Sequence, residues 1–214
     1  MEVNPNTYDP ATKGGQGVRY EYGTDDRRIR AIYPDGGVRR MKYDALGNLI
    51  KVIEPEQYDA ETDDGPGYAY EYDSANDLVQ ITAPDGAVEK RFIYNARGLL
   101  LKEVSADGYL AGDSDETRIG TLYQYNAAGW LLEKREPVVN AEEGGVQYRL
   151  TQYAYDCNGN RTAEKRFLAL QSADSADGSI HTLTFGYDKQ NRLVRVSDGL
   201  GAVIQYAYNC LNQR

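Results

Sequence analysis

Cysteine, histidine and tryptophan are nearly missing from this chain, with two, one and one among 214 residues. Metal centres and disulfide frameworks need clustered Cys and His, so neither class is favoured. Basic residues are in deficit too: 24 Lys and Arg face 33 Asp and Glu, a net charge of −9. That balance argues against a nucleic-acid partner, whose phosphates are neutralised by Lys and Arg, and against an anionic membrane surface. No stretch approaches the roughly 18 apolar residues of a membrane helix. The opening "MEVNPNTYDPATKGG" has no basic segment followed by an apolar run, so no signal peptide is read. Phe is scarce, with three copies, whereas Tyr supplies 19 of the 23 aromatics. This is a tyrosine-patterned surface and not a greasy globular core.

What is abundant is one phrase. "RFIYNARGLLLKEVSADG" from Arg91 has counterparts in "MKYDALGNLIKVIEP", "YEYDSANDLVQITAPDG", "YQYNAAGWLLEKREP", "YAYDCNGNRTAEKR" and "FGYDKQNRLVRVSDG". The second aromatic falls at Tyr22, Tyr43, Tyr72, Tyr94, Tyr125, Tyr155, Tyr187 and Tyr208, in steps of 21, 29, 22, 31, 30, 32 and 21. Those are a basic unit of about 21 residues and a longer version of it, in the range of repeat architectures. The array runs from residue 18 to 214 in about eight units, the last cut short, behind a poorly ordered or capping segment at 1–17. Repeat proteins bury surface between neighbours, so one domain here means one array.

Within a unit, Val88, Lys90, Phe92 and Tyr94 alternate onto one face of a strand. Then "YNARGL" turns the chain: Asn95 can bond the backbone two residues on, and Gly98 can adopt positive φ, as in a type I turn followed by a left-handed residue. The return strands "LIKVI", "LVQIT" and "LVRVS" carry branched residues at alternate positions. An Asp-Gly turn follows, with Pro before it at Pro34 and Pro84. Each unit is two strands and two turns, without a capped helical period. The fold class is therefore all-β, tandem hairpins in a curved, twisted antiparallel sheet of about sixteen strands.

Departures from the pattern have readings of their own. Asn76, Asn191 and Asn212 replace the turn glycine seen at Gly47, Gly98, Gly129 and Gly159, and Asn tolerates that conformation well. Asp26 fills the slot in the first and weakest copy. Asp and Asn exchange after the second Tyr (Asp44, Asp73, Asn95, Asn126, Asp156, Asp188, Asn209), which suits a turn role and not acid-base catalysis. The long units insert "EPEQYDAETDDGPG", "DGYLAGDSDETRIG", "EPVVNAEEGG" and "LALQSADSADGS" at the second turn, expected to be acidic loops projecting from one edge. Asn191 to Asp198 spans seven positions where Asn76 to Asp85 spans nine, so the seventh hairpin is expected to be shorter, with no bulge.

The phrase Tyr-x-Tyr-Asp-x-x-Gly-x-Leu, as in "KYDALGNL" and "YAYDCNGNR", resembles the YD repeat of the Rhs family, found in bacterial polymorphic toxins, insecticidal toxin complexes, wall-associated proteins and teneurins. The resemblance covers roughly residues 18–214. It implies a β-strip spiralling into a hollow shell, secreted or at the cell surface, that encloses or presents a C-terminal toxic or adhesive domain. The implied partners are the remainder of that shell and the enclosed domain, with edge-to-edge self-association of the open sheet. The family's core motif and self-cleavage residues have no counterpart in this sequence.

Other candidate sites are weighed against plainer readings. The aromatic pairs, such as Phe92/Tyr94 and Tyr153/Tyr155, read as cross-strand ladders first and as a glycan-stacking platform second. Asp113, Asp115 and Glu116 offer a weak calcium set, against a solvated loop, because the spacing fails the EF-hand pattern. His181, expected on the face of Leu183, Phe185 and Tyr187, reads as a strand residue. Cys157 and Cys210 share one slot of two repeats, too far apart in an array to bond, and read as free thiols. No cofactor and no enzymatic activity are expected.

Overall fold

The structure, a computed structural model, describes residues 2–3, 17–108, 114–140, 145–171 and 179–209. Among the described residues, sixteen strands pair antiparallel in chain order, and the only helical segments are single 3₁₀ turns at Pro55–Gln57 and Ala106–Gly108. The chain divides into two compact units, residues 1–91 and 92–214.

The first unit holds β1 (Glu2–Val3), β2 (Gly17–Tyr22), β3 (Arg28–Ile32), β4 (Val38–Tyr43), β5 (Leu49–Ile53), β6 (Tyr68–Tyr72), β7 (Leu78–Thr82) and the start of β8 (Val88–Tyr94). Cross-strand partners share a face. The register Glu21↔Arg30↔Arg40↔Ile53, with Lys42↔Lys51, therefore defines one charged face. Tyr20↔Ala31 and Met41↔Val52↔Tyr68 belong to the other, with Tyr70↔Ile81.

The second unit holds β9 (Leu100–Ser105), β10 (Thr121–Tyr125), β11 (Leu131–Asn140), β12 (Gly145–Tyr155), β13 (Arg161–Phe167), β14 (Ile180–Tyr187), β15 (Leu193–Asp198) and β16 (Val203–Gln205). Its longest hairpin is β11–β12, paired from Glu133↔Gln152 to Asn140↔Gly145. Pro137 sits in β11 opposite Tyr148, past the point where β10 pairs with β11, so its missing N–H breaks no ladder there.

Long insertions create the cores. Ile53, Val104 and Leu150 are fully buried, and each lies where an insertion or an extended hairpin begins. The loop 54–67 folds back over the charged face instead of projecting as expected. Gly67 makes this possible, because a Cβ there would collide with the Val52 carbonyl and Ile53. The "EPVVNAEEGG" insertion is no loop along most of its length but the extension of β11 and β12. Gln171 pairs back onto Tyr148, with both main-chain hydrogen bonds made at 2.7 and 2.8 Å.

The seventh hairpin differs from the expected shortening. Its second turn is closed by Asp198 N–H donating to the Ala202 carbonyl at 3.0 Å, as Tyr33 donates to Gly37 and Ala83 to Ala87. The left-handed glycine is Gly201, ten positions after Asn191, as Gly86 is after Asn76 and Gly36 after Asp26. Asp198-Gly199 is thus not the equivalent of Asp85-Gly86, and the hairpin keeps its length. The β15–β16 ladder shows no register shift.

Candidate functional site

The repeated first turn brings most of the singled-out residues together. In six copies the residue after the second Tyr (Asp44, Asp73, Asn95, Asn126, Asp156 or Asp188) accepts the backbone N–H four residues on through its side-chain oxygen, at 2.8–3.1 Å. Asp and Asn perform this equally, because only an acceptor oxygen is needed. The side-chain amide of Asn160 and the turn's N–H groups hold the Asp156 carboxyl below the usual carboxylate range. For Asp188 the backbone N–H of Arg192 does the same, helped by its guanidinium. Burial pushes the Asp44 carboxyl up, but the N–H groups of Asn48, Gly47 and Leu46 outweigh it and the net shift is down.

The third turn position after this residue has positive φ in every described copy: 93° at Gly47, 72° at Gly98, 87° at Gly129 and 84° at Gly159, with 59° at Asp26, 71° at Asn76 and 59° at Asn191. A register shift immediately before the Tyr follows in six hairpins, as at Lys42/Tyr43 and Ala154/Tyr155. The left-handed residue closes a three-residue hairpin turn, and the register shift lies further along, as between Lys42↔Lys51 and Tyr43↔Leu49, where Ile50 is the extra residue.

In five units the second Tyr has a task that the aromatic pattern alone did not reveal. Tyr43, Tyr72, Tyr155, Tyr187 and Tyr208 donate their hydroxyls to the carbonyls of Arg28, Leu49, Leu131, Arg161 and Leu193, at 2.9–3.0 Å. Each acceptor opens the return strand of the preceding unit. The main-chain ladder between units stops short of it: β5–β6 pairing begins at Lys51↔Ala69, and β13–β14 pairing ends at Ala163↔Thr184. The hydroxyl supplies a donor that the splayed backbone does not. Tyr22 is 54% exposed, Tyr125 is raised in pKa by burial, and Tyr94 ends β8.

Aromatic rings meet both one another and arginine side chains. Trp130 and Tyr155 meet at 5.4 Å between centroids, whereas arginines cover other rings. Arg28 lies 3.9 Å from the Tyr20 centroid, and Arg161 lies between Tyr153 (5.6 Å) and Phe185 (4.9 Å). The ring faces of Tyr20, Tyr153 and Phe185 are thus covered by guanidinium groups. Tyr123 is pushed up to about 12 by burial and by the neighbouring Glu103 carboxylate.

Turns also touch along the array. The residue after the left-handed position of one turn lies against the left-handed position of the next: Arg27 on Gly47, Leu99 beside Gly129, and the Trp130 ring 3.0 Å from where a Cβ at Gly159 would stand. Where the second residue is Asn, hydrogen bonds replace packing. Asn48 and Asn76 exchange amide bonds at 2.5 and 3.1 Å, and Asn160 donates to the Asn191 side-chain oxygen at 2.9 Å.

The acidic loop of the first unit is a second constellation. Asp63 accepts from Arg30 at 2.8 Å, from Arg40 Nε at 3.1 Å and from the Tyr58 hydroxyl at 2.9 Å. Asp64 bonds Lys42 at 3.0 Å and Lys51 at 2.9 Å, and those two ammonium groups hold its carboxyl well below the usual range. The signal was present in sequence as basic residues two apart on β4 and their cross-strand partners, but nothing local tied them to Asp63 and Asp64.

Of the calcium set, Asp113 lies outside the described residues. Asp115 pairs with Arg118, and the Lys102 ammonium sits against the Asp115 and Glu116 carbonyls at 3.0 and 3.2 Å. A cation already occupies those oxygens. No group of three potential metal ligands forms among the described residues. His181 pairs with Arg166 across β13–β14, Cys157 is an exposed free thiol, and Cys210 and Asn212 lie outside the described residues.

Comparison with known proteins agrees with the repeat geometry. Residues 43–88 and 72–110 match the family model described as RHS Repeat. No curated protein matches. Among solved structures, the crystal structure of TcdB2-TccC3 without its hypervariable C-terminal region is 17% identical, with a TM-score of 0.55 over 96% of this chain. The Photorhabdus luminescens Tc holotoxin pore carrying TccC3-D651A is 12% identical, with 0.57 over 88%, and the TcdB2-TccC3-Cdc42 crystal structure is 16% identical, with 0.54 over 92%. At this identity the likeness is one of fold, and the chain spans 9–12% of the length of those chains. In its hairpin repeats, its bulged Tyr-Asp turns and its match over residues 43–110, the chain is similar to the RHS-repeat, or YD-repeat, family.

Proposed function

We propose that this array is a non-enzymatic wall segment of an Rhs-type β-shell that encloses or presents a toxic or adhesive C-terminal domain, in a secreted or surface-located parent protein. The observation that carries it is the direction of the contacts. Tyr hydroxyls reach back to the preceding hairpin, and turn residues bond the next, so the functional-looking side chains are spent on neighbouring repeats. The fold likeness to TcdB2-TccC3 chains, about eight times the length of this one, supports a segment of a larger wall. The partners of this reading are the remaining shell and the domain it surrounds.

Electron microscopy of the polypeptide that carries this array is the test, with limited proteolysis of whatever follows the repeats. A hollow particle with a protease-protected interior is expected. An extended rod with every following segment cleaved at once would refute the shell.

A further inference from the structure

We propose that the turn edge carries a neighbour-matching rule: the residue after the left-handed position of one turn selects what can stand at the left-handed position of the next. Two matched classes occur. A bulky group meets glycine, as with Trp130 on Gly159, where a Cβ would lie 3.0 Å from the ring. An Asn meets an Asn, as with Asn48 and Asn76 or Asn160 and Asn191.

At Gly159 and at Asn191 each class disfavours the other's partner. Asn at the position that Trp130 covers would place its Cβ 3.0 Å from the indole, which must then give by a few tenths of an ångström. Gly opposite Asn160 would leave its amide without the acceptor that Asn191 provides. Such exclusion has a use in a repeat protein, because hairpins of nearly the same sequence can pair in many orders, and strand ladders alone distinguish them poorly. A side-chain match at each turn raises the cost of the wrong neighbour. The inference rests on the turn contacts and stands whatever the array encloses.

The ordinary conformational rule makes the opposite forecast, which gives a sharp test. Glycine populates positive φ more easily than asparagine, so Asn191→Gly should be neutral or stabilising if only the backbone matters. Under the matching rule it loses the bonds from Asn160 (2.9 Å) and Asn158 (3.2 Å) and lowers the melting temperature, by about 2–4 °C for a chain of this size. The loss should vanish in an Asn158→Ala, Asn160→Ala background, where no amide remains to be matched. In a second arm, Gly159→Asn should lower the melting temperature more in the parent than in a Trp130→Asn background. A rise in melting temperature for Asn191→Gly in the parent, or penalties that are equal in matched and unmatched backgrounds, would overturn the proposal.

Discussion

Replacing Tyr72 or Tyr155 by Phe removes one oxygen and leaves the ring in place, so it isolates the hydroxyl contact between units. Each hydroxyl donates to a carbonyl at the start of the preceding return strand, Leu49 at 3.0 Å and Leu131 at 2.9 Å. The net worth of one such bond is about 0.5–1.5 kcal/mol. The orphaned carbonyl adds a desolvation cost of up to about 3 kcal/mol only if water is kept out. Both bonds are part-buried and lie at the open end of a ladder, where water can reach, so about 1 kcal/mol is expected for each variant. That corresponds to a fall of roughly 2–4 °C in melting temperature for a chain of this size. Tyr22→Phe, at a ring 54% exposed, is the comparison and should change stability by less than about 0.5 kcal/mol. Chemical denaturation followed by tyrosine fluorescence or circular dichroism measures all three. If Tyr72→Phe and Tyr155→Phe are as silent as Tyr22→Phe, the hydroxyls are not what joins one unit to the next.

Two further outcomes follow from the docked loop and the buried branched residues. Ile53→Ala and Leu150→Ala each empty a fully buried site and should cost about 2–5 kcal/mol in denaturant titrations, against under about 0.5 kcal/mol for Leu46→Ala, which is 79% exposed. The Asp64 carboxyl is held below its ordinary value by Lys51 and Lys42, so the unfolded chain binds the extra proton at acidic pH. Its stabilisation should be fully present above about pH 4 and fade as pH falls towards its lowered pKa. The gap in melting temperature between the parent and Asp64→Asn should therefore be widest near neutrality and narrow below pH 4, and a gap that stays constant into acid would contradict the contact.

Much of the hairpin was legible because its causes are local. The exchange of Gly98 for Asn76 or Asp26 marked a left-handed position, and φ is positive at all three. The exchange of Asp156 for Asn126 marked a turn acceptor, and both oxygens receive the N–H four residues on. The Asp-Gly at Asp198 misled, since two Asp-containing turns differ only in whether Asp stands first or third. The hydrogen bond from Asp198 N–H to Ala202 decides between them, and that bond depends on strand pairing.

By itself, then, the sequence determined the repeat, its antiparallel strands and the chemistry of its first turn, because alternation and turn preference act over a few residues. Only the tertiary structure decided that Asp63 and Asp64 fold onto Arg30, Arg40, Lys42 and Lys51, that tyrosine hydroxyls cap carbonyls of the preceding unit, and that Trp130 lies on Gly159. Those contacts join residues 13 to 33 positions apart, and a register between strands, not a pattern along one of them, brings them within reach.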